Sequence, residues 1–268
     1  MSRRISALPA LQVGRWAIAG LLGACLCLSA HAALPDEIQV YTFDINEPRD
    51  FGLEVHVNTT PSGQRIPTYP GEITTHHGWR VTPEFSYGLS KNWEAGLYVP
   101  TVRAADGSYY LAGGKLRLKW LPLQIGKDGS GWFAGFNGEL GRITQRFDQS
   151  RTNLEMRFIA GWKNVDWLLA MNPIFGWALH NGQRQRSPEG TLSLKAARTV
   201  AKDLALGFEY YSGYGKVSKI LPLEQRDNSL FLALDYEGKP LAFNFGVGRG
   251  QTAGADKWTV KAIINVPF

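Results

Sequence analysis

Apolar and polar positions alternate along nearly the whole chain after residue 50. The closing stretch "DKWTVKAIINVPF" sets Trp258, Val260, Ala262, Ile264, Val266 and Phe268 on one side, with Lys257, Thr259, Lys261 and Asn265 interleaved. Successive side chains of a strand point to opposite faces, so this segment has one apolar face and one largely polar face. The pattern recurs in "FGLEVHVN", "GKLRLKW", "NLEMRFIAGW", "DLALGFEYYSG", "SLFLALDY" and "PLAFNFGVG". It predicts twelve strands, near 51–58, 77–88, 92–100, 108–121, 131–145, 152–163, 166–178, 190–200, 203–213, 228–237, 240–250 and 256–268.

The connections alternate in length. "LSKN", "KNVD", "VAKD" and "EGKP" are tight, whereas 59–76, 101–107, 146–151, 179–189, 214–227 and 251–255 are mostly longer and polar. Outer-membrane barrels have short periplasmic turns and longer outer loops. One turn on the short side, "PLQIGKDGSG" at 122–131, is too long for that scheme and leaves room for a miscounted strand.

Tryptophan decides which way the apolar face points. Trp93, Trp120, Trp132, Trp162 and Trp167 fall near one end of the proposed strands, and Trp79, Trp177 and Trp258 near the other. A transmembrane barrel carries two such aromatic girdles, because an indole prefers headgroup depth. A soluble sandwich places some tryptophans mid-strand in its core. The expected fold is therefore all-β: a single antiparallel transmembrane β-barrel over residues 51–268, in the cell outer membrane.

The first residues agree with export. Residues 1–32 join Arg3, Arg4 and Arg15 to an apolar run from Ala17 to Leu28 and end Ala30-His31-Ala32, the form of a cleaved signal peptide. Cys25 and Cys27 both lie in it, so a chain starting at Ala33 has no cysteine chemistry. The formal charge falls from +6 to +3 without the three leader arginines, which removes any case for nucleic-acid binding. Residues 33–50 alternate weakly and are broken at Pro48, which leaves them periplasmic, paired as a short strand, or inside the lumen.

Alternation that closes on Phe268 resembles the terminal strand by which Gram-negative outer-membrane barrels are recognised for assembly. The stretches "DEIQVYTFDINEPRDFGLEVHVNTTPSG" and "PEFSYGLSKNWEAGLYVPT" resemble a group of barrel proteins loosely related to transporters named after the phenol meta-cleavage pathway. The resemblance implies a barrel, with the assembly machinery, outer-membrane lipid and lipopolysaccharide as partners. It implies no catalytic motif.

Candidate chemistry is sparse. His56 on a polar face and His76-His77 at a loop end suggest a metal only if a loop gathers them, and imidazole on an exposed rim needs no ion. His56 and Ser86 lie on neighbouring strands but on the lumen side, where a lipid hydrolase would not work. No catalytic residue, cofactor or metal is expected. The lumen charges carry more information. Lys115, Arg117 and Lys119 stack on one strand beside Glu139, with Glu155 and Arg157 beyond. A hairpin centred near Asp148 would set Glu139 against Arg157 and leave part of the basic column uncompensated; Lys195 and Glu209 would oppose each other elsewhere. These charges either satisfy one another in a plugged barrel or line a pore. Inward glycines, Gly161 among them, either open space or admit bulky neighbours. The expected function is a narrow passive channel for small solutes, anionic or aromatic. A non-conducting structural or binding barrel is the alternative, and a membrane-embedded lipid-modifying enzyme stands third.

Overall fold

The computed structural model describes residues 37–180, 184 and 186–267, so the leader and Phe268 lie outside the described residues. The strands are β1 (Phe51–Ser62), β2 (Trp79–Ser90), β3 (Trp93–Tyr98), β4 (Thr101–Arg103), β5 (Tyr109–Leu111), β6 (Gly113–Leu123) and β7 (Gly131–Ile143). They continue as β8 (Thr152–Lys163), β9 (Trp167–Ala178), β10 (Glu189–Ala201), β11 (Leu204–Lys216), β12 (Asp227–Tyr236), β13 (Ala242–Gly250) and β14 (Trp258–Val266). Each pairs antiparallel with its neighbours, and β1 pairs with both β2 and β14, which closes the sheet. β3 and β4 run end to end along β2, and β5 and β6 are likewise one interrupted strand, so the wall is a closed antiparallel barrel of twelve strands.

Pro100 causes the first interruption, since it has no N–H for the ladder. Its carbonyl still accepts from Ala112 N–H at 2.8 Å, which brings the second break alongside the first. The sequence reading of 101–107 as a long loop is corrected here. β4 and β5 pair over Thr101–Leu111 and are joined only by a tight turn in which Ala104 N–H donates to Ser108 O at 2.8 Å. Three-residue strands beside a proline carry too little alternation to be seen.

The long turn after β6 does not change the strand count. Its extra length is taken up by a register shift between Trp120 and Leu123 and by a turn in which Gly126 N–H donates to Ser130 O at 2.7 Å. Leu121, the next inward position after Lys119, is fully buried inside the barrel.

Inside and outside are reversed relative to a soluble protein. On β6, Leu116 and Leu118 are 62% and 45% exposed, while Arg117 and Lys119 between them are each 6% exposed. Glu84, Glu139, Arg157, Asn172, Glu209 and Lys261 are buried inside, and Phe85, Leu140, Phe158, Met171, Phe208 and Leu232 are exposed outside. Such a wall is stable only where the surroundings are apolar. Trp79, Trp93, Trp167 and Trp258 begin their strands, and Trp120, Trp132, Trp162 and Trp177 lie within three residues of strand ends. Trp93 pairs with Trp120 across β3 and β6, ring centroids 5.7 Å apart.

Candidate functional site

The chain itself occupies part of the lumen. Residues 37–50 run along the inside of the wall before β1 begins at its short-turn end. Asn172 on β9 holds the segment at Tyr41: its Oδ1 accepts from the Tyr41 N–H at 2.7 Å and its Nδ2 donates to the Tyr41 carbonyl at 3.1 Å. An amide side chain offers one acceptor and two donors, so it satisfies an extended residue as a neighbouring strand would. The Tyr41 hydroxyl lies 2.6 Å from that of Tyr98 and donates to Glu139 Oε1 at 3.2 Å. Further on, Asn46 N–H donates to Glu94 at 2.6 Å, Asn46 Nδ2 to Ser86 Oγ at 2.8 Å, and Lys119 Nζ to the Asp44 carbonyl. Val40 and Tyr41, with Phe43 and Ile45, pack on Leu121, Phe133, Ile159 and Ala170. A Cβ at Gly161 would stand 2.2 Å from the Phe133 ring, so that glycine makes room for the packing and opens no passage.

The charged positions form two networks. In the first, the Arg117 guanidinium lies 2.7 Å from Glu84 and 2.6 Å from Glu94. It crosses β3 over Gly96, where a Cβ would stand 2.6 Å from Arg117 Nε. Lys115 Nζ is 3.2 Å from Glu139 and 3.7 Å from Glu37; Arg157 is 2.9 Å from Glu155 and 3.6 Å from Glu37. Burial alone would raise the Glu37 carboxyl, but Arg157 and Lys115 hold it below the ordinary carboxylate range. In the second network Lys195 faces Glu209 at 3.3 Å and Asp235 at 2.7 Å, and Lys261 binds Glu209 and donates to the Ile38 carbonyl at 2.8 Å.

Two sequence expectations are corrected. Glu139 stands opposite Glu155, and Arg157 opposite Asn137, because the β7–β8 hairpin is centred one residue earlier than Asp148. The uncompensated part of the basic column also narrows to its end: Glu84, Glu94, Glu139 and Glu37 meet Lys115 and Arg117, while Lys119 donates to the neutral Asp44 carbonyl of the segment. Glu37, Glu84, Glu94, Asp235 and Lys261 were missed, although Glu94 on the strand next to the basic one and Glu84 on the strand beyond it occupy inward positions that their alternation could have shown.

Glu54, His56 and Glu84 place one ligand atom each within 4.8 Å of one another, the one such group among the described residues. The set fits an ion-pair network better than a metal. Glu84 is already held by Arg117, and His56 Nδ1 has no hydrogen-bond partner among the described residues, whereas a ligating imidazole is normally oriented by one. His76 and His77 stack on each other at 3.9 Å in the loop after β1. Ser86 and His56 do not form a nucleophile and base: His56 pairs with Thr82, four residues along β2 from Ser86, or roughly 13 Å.

Above residues 37–39, toward the long-loop end, lies a cavity of about 450 Å³. Its lining includes Lys115, Glu139 and Arg157 from the wall, Tyr211 and Phe231 from the far side, and residues 64–75 of the loop after β1. Asp256 fixes that loop, accepting from Gln64 N–H at 2.9 Å and Thr75 Oγ1 at 2.7 Å. Ile73 packs against the Val102, Ala112, Ile143 and Phe147 cluster on the opposite rim.

No family model matches the chain, and no curated protein does. Among solved structures it is similar to the KdgM porin, at 12% identity and a TM-score of 0.52, covering 81% of this chain and 99% of that one. The NanC porin gives 10% identity and 0.52 over 81% and 98% of the two chains. An outer membrane channel from Pseudomonas putida F1 gives 10% and 0.54 over 87% and 100%. At these identities the likeness is one of fold: the chain has the twelve-stranded barrel architecture of outer-membrane porins.

Proposed function

We propose that the chain is an outer-membrane barrel acting as a narrow passive channel for small polar solutes, with residues 37–50 forming the constriction. The observation that carries this is the closed wall with an apolar outside and a charge-lined interior that holds a cavity of about 450 Å³. A solute entering it meets paired charges and the rings of Tyr69, Phe147, Tyr211 and Phe231. Such a lining suits sugars or aromatic compounds, which agrees with the resemblance to transporters of the phenol-pathway group. A KdgM porin has been solved in complex with oligogalacturonate, an anionic ligand. Here any anion preference is weak, because Lys115, Arg117 and Arg157 each lie within 3.2 Å of a carboxylate. The short-turn end, with the Trp93–Trp120 stack, faces the periplasm and the long loops face outward.

The packing of residues 37–50 favours a second reading, a non-conducting barrel. Planar-bilayer recordings separate the two. The channel reading requires discrete conductance steps from the wild type, a small reversal potential under a salt gradient, and larger steps when residues 37–46 are deleted. Arg117→Met leaves Glu84 and Glu94 without their shared cation and shifts the reversal potential toward cations. Silence from the wild type in the presence of a folded, heat-modifiable barrel sinks the channel reading.

A further inference from the structure

The charged side chains that line the cavity have partners, with one exception among the described residues. Lys115 and Arg157 are met by Glu37, Glu139 and Glu155, and Asp256 accepts from Gln64 and Thr75. The exception is Asp227, the first residue of β12. Its carboxylate has neither a hydrogen bond nor an ion pair among the described residues, and the charge that acts on it is a second carboxylate, Asp256. Asp227 shares the inward face of β12 with Ser229 and Phe231 and is half-buried in the cavity wall. Gly213 stands directly opposite on β11, where even a Cβ would come no nearer than 3.5 Å to Asp227, so the wall beside the carboxylate is bare. Drawing an ionised carboxylate out of water without a partner is unfavourable, and a cationic ligand removes that cost.

A second carboxylate, at the floor of the cavity, lacks hydrogen-bond donors. The Glu37 side chain is 2% exposed, and Lys115 and Arg157 approach it only to 3.7 and 3.6 Å, so neither of its oxygens accepts a hydrogen bond among the described residues. Thr191, beyond Gly213 on β10, and Ser229 add hydroxyls to the lining. A metal ion does not suit Asp227. A hard divalent cation such as calcium takes about six to eight oxygen ligands, whereas Asp227 and Asp256 belong to no cluster of three ligating groups among the described residues. The cavity, at about 450 Å³, is also far larger than an ion. An organic solute with one ammonium and several hydroxyls uses the whole lining: the ammonium pairs with Asp227, and hydroxyls donate to Glu37 and exchange hydrogen bonds with Thr191 and Ser229.

We propose that the cavity is a binding site for amino sugars, with Asp227 as the residue that selects the ammonium. The proposal names a solute class for the channel reading above and rests on that reading for the traffic through the site. The deciding experiment is equilibrium dialysis of the purified protein in detergent at neutral pH, against radiolabelled glucosamine and against glucose, which has the same ring with a hydroxyl in place of the ammonium. Glucosamine should bind tighter than glucose by roughly tenfold or more. Calcium chloride at the glucosamine concentration should not displace it. Asp227→Asn should bring the two sugars close to equal affinity, whereas Glu224→Gln, which neutralises an exposed carboxylate three residues earlier in the same loop, should keep the preference. The Asp227 carboxylate holds no other part of the fold, so Asp227→Asn should keep the unheated gel mobility of the wild type, and the wild-type comparison decides even if it does not. Dialysis reads binding whether or not the barrel conducts. Glucosamine retained by a barrel that is silent in a bilayer upholds the site against the channel reading, and conduction without a glucosamine preference does the reverse. Equal affinity for the two sugars in the wild type, displacement by calcium, or an undiminished preference in the folded Asp227→Asn variant overturns the proposal.

Discussion

Tyr41, on the segment that precedes the first strand, and Tyr98, at the top of β3, touch hydroxyl to hydroxyl at 2.6 Å across the lumen wall. Both are buried, and Glu139 accepts the Tyr41 proton, so the contact ties the segment to two neighbouring parts of the barrel at once. The strongest attachment next to it is Asn172. Replacing Asn172 by Leu leaves the Tyr41 N–H and carbonyl without partners inside the barrel, at a cost of about 2–4 kcal/mol for two buried groups. The expected result is earlier proteolysis within residues 37–50 and larger, noisier currents. Urea titration and single-channel recording measure both.

Glu37 predicts a pH dependence. Its folded carboxyl is held below the ordinary value of 4.5, so its contribution to holding the segment is fully present above that value and lost as pH falls through the lowered one. Acidification should therefore loosen the segment in the wild type. In Glu37→Gln part of that acid dependence should be gone, measured as the difference in proteolysis rate between neutral and acidic buffer.

Neighbouring residues on β10 predict opposite kinds of damage. Leu194 faces outward and Lys195 inward, directly across from Glu209. Leu194→Arg places a cation in lipid at mid-strand and should destabilise by about 2–4 kcal/mol. Lys195→Met leaves Asp235 without its ammonium partner and with only the Asn244 amide donating to it, while Glu209 keeps Lys261. Adding Asp235→Asn should recover much of the second loss and none of the first. A double-mutant cycle by unfolding in lipid bilayers reads the difference.

The strand count, the facing of each strand and the placement of the tryptophans at strand ends were legible because a period of two and a bulky ring at a boundary are local signals. The ion pairs were less so. Glu139 and Arg157 were assigned to each other from a hairpin centre wrong by one residue, and one residue at the centre moves the partner by two along the strand. The role of residues 37–50 was illegible for a different reason: Tyr41 has its partners on β3, β7 and β9, and nothing in "QVYTF" marks contacts so distant in sequence.

The last prediction concerns the loop over the cavity. Residues 64–75 line it, yet only a few bonds hold them there, and Asp256 supplies two through a single oxygen. Oδ1 accepts from the Gln64 N–H and the Thr75 hydroxyl, so one carboxylate joins both ends of the loop to the turn before β14. Gln64 Nε2 adds a bond to the Ala253 carbonyl, and Ile73 anchors the far side against Phe147 and its neighbours. Asp256→Ala removes the two bonds near one rim and leaves the apolar anchor, so the loop should swing while the wall stays closed. Asp256→Asn keeps an acceptor oxygen and should behave like the wild type. The expected outcome for Asp256→Ala is faster proteolysis within 64–75, unchanged unheated gel mobility and a higher rate of entry for small sugars in a liposome-swelling assay. If entry is unchanged while proteolysis rises, the loop covers the cavity without limiting passage, and the narrow point lies at residues 37–50 below it.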